Sequence, residues 1–154
     1  NIRKMFQLGI MGMTVPKEYG GAGADQVSAA IVTEELAKAC ASTSDIVAGH
    51  TLCCVPILEH GTEEQKRKYL PMLTKGGVLG GMGITEPNAG SDASKSQTEA
   101  RLEGDHYVIN GAKIFITNGP EAGVFVIFAM TDKSKGTKGL SAFIIESSYP
   151  GFRG

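Results

Sequence analysis

The chain has 154 residues, 15 of them basic and 16 acidic, for a formal net charge of -1, and 42% are apolar. That supplies a sizeable core for one domain or two small ones, and the balanced charge gives no reason to expect nucleic acid or an anionic membrane as a partner. Three cysteines, an odd number with Cys53 and Cys54 adjacent, exclude a secreted disulfide framework and suit a reducing compartment, and no uninterrupted apolar run is read as long enough to cross a bilayer.

Asn1 to Leu8 reads as the middle of an amphipathic helix with no initiator methionine before it, so the chain is expected to be an excised or processed fragment. Gly9 to Gly23 is a glycine-rich connection. Asp25 reads as the N-cap of a helix running to about Cys40, with Ile31, Val32, Leu36 and Cys40 near helical spacing and Glu34, Glu35 and Lys38 towards solvent. A second long helix is expected from Thr43 to His60. It is apolar almost all round, which implies burial on several sides or a face lining a ligand pocket. His50, Cys53 and Cys54 stand at i, i+3 and i+4, a spacing that could present a soft-metal face. Packing is the preferred reading and no metal is expected, because free cysteine behaves as a small hydrophobe and no second Cys or His pair completes a site.

Gly61 stops that helix, and Thr62-Glu63-Glu64-Gln65 forms a capping box for the next. Pro71 disfavours that helix continuing much beyond it, and Gly76-Gly77 marks a boundary. From there the pattern changes to short strands: Leu79 to Thr85, Thr98 to Leu102, His106 to Asn110, Ala112 to Thr117, Val124 to Met130 and Leu140 to Ile145. A turn is read at Glu103-Gly104-Asp105, a hairpin signal at Asn110-Gly111 and a further turn at Asn118-Gly119-Pro120. Antiparallel pairing is the default for strands this closely spaced. The expected fold class is α+β: a helical domain over 1–76, then an antiparallel β domain over 77–154.

The stretch most loaded with chemistry runs from Leu79 to Asp92. Its three early glycines would let a backbone lie flat against a planar ligand, Pro87 fixes the direction of exit, and Thr85 and Ser91 offer small hydroxyls. Glu86 stands where the dinucleotide fingerprint needs its third glycine, and no Gly-Lys-Ser/Thr phosphate loop occurs, so the familiar nucleotide motifs do not fit.

Ile84-Thr85-Glu86-Pro87-Asn88-Ala89-Gly90-Ser91-Asp92, followed by Ile109-Asn110-Gly111-x-Lys113-x-Phe115-Ile116-Thr117-Asn118, resembles the paired flavin-contacting signatures of the acyl-CoA dehydrogenase family. The later run from Phe128 to Gly136 is most similar to short-chain (butyryl-type) members. The resemblance covers essentially the whole chain and implies an N-terminal helical domain and part of the middle β domain, with a C-terminal helical domain absent. It implies FAD as cofactor, contacted by Met82, Gly83, Ile84 and Thr85 at the polar edge of the isoalloxazine and by Phe115, Ile116 and Thr117. Phe115 stands where many members have tryptophan, and Thr117 would hydrogen-bond near N5. It further implies Ser91 on the pantetheine portion of CoA, and Ser44, Ala48 and Leu52 along the acyl tail.

The implied reaction is α,β-dehydrogenation of a short- to medium-chain acyl-CoA to the trans-2-enoyl-CoA, with electrons passed to electron-transfer flavoprotein. An acyl-CoA oxidase and a non-catalytic flavin- or CoA-binding module are the alternatives. The family's catalytic glutamate belongs to the C-terminal domain, so no catalytic residue is assigned in this chain and the fragment alone is expected to be inactive. Glu86 and Asp92 are read as loop architecture and Glu121 as a turn residue. The resemblance also implies a homo-oligomer, exposed apolar surface that favours self-association, and a cytoplasmic location in a bacterium or the mitochondrial matrix in a eukaryote.

Overall fold

In a computed structural model, which describes residues 1–154, the helices start where the side chains can cap them. Helix α1 spans Ile2–Gln7, α2 Gln26–Ala39, α3 Ala41–His60 and α4 Glu63–Thr74. The Asp25 carboxylate accepts the Ser28 N–H at 2.7 Å and opens α2. At α4 the capping box is complete: Thr62 Oγ1 accepts the Gln65 N–H at 3.2 Å while Gln65 Oε1 accepts the Thr62 N–H at 2.8 Å.

Pro71 lies in the last turns of α4, and the helix does not run much beyond it, ending at Thr74. Leu70, Leu73 and Thr74 are buried, so packing holds the last turn, and the Pro71 carbonyl accepts the N–H groups of both Lys75 and Gly76 as the helix closes. Helix α3 does depart from expectation. By length and composition it is apolar enough to cross a bilayer. In this fold it packs against α2, α4 and β1, burying Ser44, Val47, Gly49, His50, Cys53, Cys54 and Ile57.

Five strands follow: β1 Gly80–Gly83, β2 Glu99–Glu103, β3 His106–Asn110, β4 Val124–Met130 and β5 Leu140–Glu146. Strand β4 is the organising one. Along one edge β5 pairs with it antiparallel over its whole length, from Val124 with Glu146 to Met130 with Leu140. Along the other edge β1 pairs parallel, from Gly80 with Val124 to Gly83 with Ile127, and β2 touches it, also parallel, at Glu99 and Met130. The sheet is therefore mixed, not antiparallel throughout. Neighbours in sequence do pair antiparallel, as in β2 with β3 and β4 with β5, but β1 skips the β2–β3 hairpin and meets a strand reached after the chain has reversed direction again.

A second expectation fails between β3 and β4. Asn110-Gly111 makes no hairpin and Ala112 to Thr117 is not a strand. Gly111 has φ +153°, and Phe115 and Asn118 have φ +56° and +68°, so the pleat is broken in its middle and the segment forms an irregular loop. Its Ile114 N–H still reaches back 2.9 Å to the Thr85 carbonyl.

Residues 1–76 hold all four helices and residues 77–154 all five strands, yet the cores are shared between them. Val124 and Val126 pack with Cys53, Ile57, Leu70 and Leu73, while Phe125 and Ile127 join the cluster of Met11, Val47 and Leu79. Alternation along β4 thus covers both of its faces.

Candidate functional site

Two loops meet beyond the end of β1: residues 84–98, carrying the first motif, and 111–123, carrying the second. The first folds on itself, because the Glu86 N–H donates to the Ala89 carbonyl at 2.9 Å and the Ala89 N–H returns to the Glu86 carbonyl at 3.1 Å. Asp92 accepts the Ser94 N–H at 3.2 Å, which starts a short 3-10 turn at Ala93–Lys95.

Between the loops lies a buried ion pair. Lys113 Nζ is 2.6 Å from Glu86 Oε1, and the side chains are 5% and 4% exposed. The same ammonium donates to Ser96 Oγ and to the Ile84 carbonyl, each at 3.1 Å. Glu86 also accepts from Ser96 Oγ at 2.5 Å, the Gln97 N–H at 2.6 Å and the Thr98 N–H at 3.0 Å. Burial alone would raise the Glu86 carboxyl. Lys113, Ser96, Thr98 and the Gln97 N–H together outweigh it and hold the group far below the ordinary 4.5. Buried, ion-paired and held ionised by four hydrogen bonds, three of them on Oε1, this carboxylate serves the loop rather than a ligand's proton. Asp92 is committed to its turn and Glu121 is exposed in another, so none of these three acids is poised as a base.

The other end of β1 is pinned by neutral groups. The Gly80 N–H donates to His50 Nδ1 at 2.9 Å, and Asn118 Nδ2 donates to the Gly80 carbonyl at 3.2 Å and to the Ile46 carbonyl at 3.0 Å. His50 is fully buried, with Nε2 3.6 Å from Cys54 Sγ. Burial pulls it from 6.5 to about 4, against the carbonyls of Leu73 and Met11, which favour the charged form. Burial likewise pushes the Cys53 thiol up to about 12 and the Cys54 thiol higher still. These side chains serve the strand and the core.

The glycines of β1 are used for packing rather than as a flat platform. A Cβ on Gly80 would lie 2.6 Å from Cys53 Cβ, one on Gly81 2.9 Å from the Phe125 ring and one on Gly83 2.5 Å from Ile127 Cδ1. Ile116 fills the space beside Gly81 and Gly83 and is half-buried. On α3, Gly49 does the same for the second loop: a Cβ there would stand 2.6 Å from the side chain of Thr117.

What remains open is a half-buried surface rich in unpaired donors. Ile84 and Thr85 are half-buried, and their N–H groups donate to nothing in the protein; the Phe115 and Thr117 N–H groups are also unpaired. Beside them the Phe115 ring is 89% exposed while its backbone holds a left-handed conformation that an aromatic residue rarely adopts. Phe115 and Asn118 are the two non-glycine residues at positive φ, three positions apart in one loop.

Of the residues Met82, Gly83, Ile84, Thr85, Phe115, Ile116 and Thr117, the last three lie on a loop that runs back along β1: the preceding Ile114 N–H meets the Thr85 carbonyl, Ile116 packs beside Gly83 and Gly81, and Thr117 adjoins Gly49 of α3. Ala48 and Leu52 are exposed on α3, on the stretch whose Gly49 adjoins Thr117. Ser44 departs from them: it is buried, and its Oγ donates to the Thr33 carbonyl of α2 at 3.1 Å. Ser91 is exposed. Sequence reasoning gave Lys113, His50 and Asn118 no role in building the site, although Lys113 and Asn118 stand in the second motif and Lys113 is a lone charge in an otherwise apolar run, Ala112 to Ile116.

Two family descriptions match the chain: acyl-CoA dehydrogenase, N-terminal domain, over residues 1–77, and acyl-CoA dehydrogenase, middle domain, over residues 81–154. A short-chain specific acyl-CoA dehydrogenase of Clostridium acetobutylicum is 60% identical over 153 residues, which cover 99% of this chain and 40% of that protein. Among solved structures, a chain in that of the electron transferring flavoprotein of Acidaminococcus fermentans superposes with a TM-score of 0.95 at 52% identity, over 99% of this chain and 40% of the other. An acyl-CoA dehydrogenase from Bacillus anthracis, complexed with FAD, gives 0.88 at 41% identity, over 97% of this chain and 26% of the other. The chain thus spans about two fifths of the length of the curated relatives it matches.

Proposed function

We propose, from the premise that this chain belongs to the acyl-CoA dehydrogenase family, that it supplies the flavin-facing loops and one wall of the acyl site of an FAD-dependent enzyme. That enzyme converts a short- to medium-chain acyl-CoA to its trans-2-enoyl-CoA. The observation that carries this reading is the pair of unpaired N–H groups at Ile84 and Thr85 beside an exposed, conformationally strained Phe115. A planar group with a polar edge and an apolar face suits such a surface, and FAD fits it.

When bound, FAD supplies the acceptor for the hydride removed from the β-carbon. Met82 to Thr85 hold its polar edge, where preorganised N–H donors favour the negative charge that reduction brings. Phe115 and Ile116 cover part of the ring, and the Thr117 hydroxyl is offered near N5. Ser91 takes the pantetheine portion of CoA. Ala48 and Leu52 face the acyl tail, with Ser44 behind them in the contact between α2 and α3. The α-proton is assigned to no carboxylate of this chain, in keeping with the buried, ion-paired Glu86. Electrons leave to electron-transfer flavoprotein, and the enzyme works as a homo-oligomer.

The test is an absorbance titration with FAD followed by anaerobic addition of butyryl-CoA, on this chain and on the full-length protein. The reading expects the full-length protein to hold flavin and be bleached. Failure of the full-length protein to bind FAD overturns it, and oxygen consumption with substrate alone would replace the dehydrogenase by an oxidase.

A further inference from the structure

Lys113 does more than neutralise Glu86. Its third contact, 3.1 Å to the Ile84 carbonyl, falls on the peptide unit whose opposite end is the unpaired Thr85 N–H. The following carbonyl, that of Thr85, is tied to the Ile114 N–H at 2.9 Å, so the Ile84–Thr85 peptide is held by Lys113 and the carbonyl after it by the adjacent Ile114. An ammonium on a peptide oxygen draws electron density from the amide and makes its N–H a stronger donor, the more so where water is excluded. Lys113 itself, 5% exposed, is shielded from any ligand on this surface. Glu86 and Ser96 hold the ammonium in place.

Resting on the flavin reading above, we propose that Lys113 is a positioning residue that polarises the Ile84–Thr85 peptide. It thereby strengthens the Thr85 N–H as a donor to the anionic edge of reduced flavin. Glu86 is the counter-ion that keeps Lys113 aimed at the Ile84 carbonyl. The two motifs are then one device: the second loop sets the donor strength of the first.

The discriminating variant is the double substitution Glu86→Gln with Lys113→Met in the full-length protein loaded with FAD. It removes both charges and strands neither, so the fold should be disturbed less than by either single loss. The inference expects thermal unfolding close to wild type, retained FAD, and a more negative flavin reduction potential. The preference for reduced over oxidised flavin should fall about tenfold, the value of one charge-assisted hydrogen bond. Lys113→Arg, which keeps a cation at the carbonyl, should restore most of that preference. If the Met variant does not fold, Glu86→Gln with Lys113→Gln keeps a donor at the Ile84 carbonyl without the charge and should show a smaller shift in the same direction. An unchanged potential in a folded, charge-free variant overturns the inference and leaves Lys113 a staple between loops, with the flavin reading intact. A wild-type protein that binds no FAD overturns both.

Discussion

The two ends of β1 are secured by opposite chemistry. At Gly80 both backbone groups are taken by neutral side chains, His50 from α3 and Asn118 from the second loop. Beyond Gly83 the backbone is secured by a buried ion pair, Glu86 with Lys113, wrapped in hydroxyl and amide donors. The difference is instructive. A neutral clamp escapes most of the desolvation penalty of charge but loses stability in mild acid, where the unfolded chain takes up a proton that the folded one refuses. An ionic clamp tolerates mild acid, and removing half of it leaves a bare charge inside the protein.

The sharpest way to break the comparison is Glu86→Ala. It leaves the Lys113 ammonium buried without its counter-ion and should reduce stability by about 3–5 kcal/mol in denaturant unfolding. A loss below about 1 kcal/mol, the scale of an exposed ion pair, would mean that the two ends do not differ in kind.

Acid should separate the ends next. His50 is held near 4 in the folded protein against 6.5 ordinarily, so between those values the unfolded chain takes up a proton that the folded one refuses. Stability therefore rises with pH across that window, and falling from pH 7 to pH 5 should remove about 2 kcal/mol. Glu86, held below its ordinary 4.5, adds its own loss only at lower pH. Unfolding curves at several pH values check this; a His50→Gln variant, although less stable overall, should be flat over the same interval.

Asn118→Ala removes the donor to both Gly80 and Ile46 and puts at φ +68° a residue without asparagine's tolerance of the left-handed conformation, so about 1–2 kcal/mol should be lost. Asn118→Gly keeps the backbone at ease while losing the same hydrogen bonds, and the difference between the two isolates the strain. The smallest effect has the opposite sign. Phe115→Gly relieves a left-handed backbone at a side chain that buries almost nothing, and should stabilise the chain by about 1 kcal/mol while weakening flavin binding in the full-length protein. A destabilised Phe115→Gly would show that the ring packs in the folded state more than its exposure indicates.

Much of the helical half was legible in the sequence because its signals are local. Asp25, Thr62 and Gln65 announce helix starts through bonds that span three residues, and those bonds are present. Strands β3, β4 and β5 were legible within a residue or two from their apolar, β-branched runs. Pro71 and Gly76-Gly77 marked the end of α4, which closes at Thr74 on the buried side chains of Leu70, Leu73 and Thr74. Asn110-Gly111 misled because turn chemistry fixes a permissive backbone and not the partner of the next segment.

The composition of the two motif loops, their order and the resemblance they carry were determined by the sequence alone, since each motif is a contiguous string. Tertiary structure decided which pieces touch: that β1 runs parallel to β4, that its glycines make room for Cys53, Phe125 and Ile127, and that Glu86 meets Lys113 across 27 positions. It also turned Ser44 towards α2 and left Phe115 exposed. Such choices rest on burial and on charge pairing at long sequence separation. Their energies arise only when distant segments exclude water from the same place, and no local pattern records that.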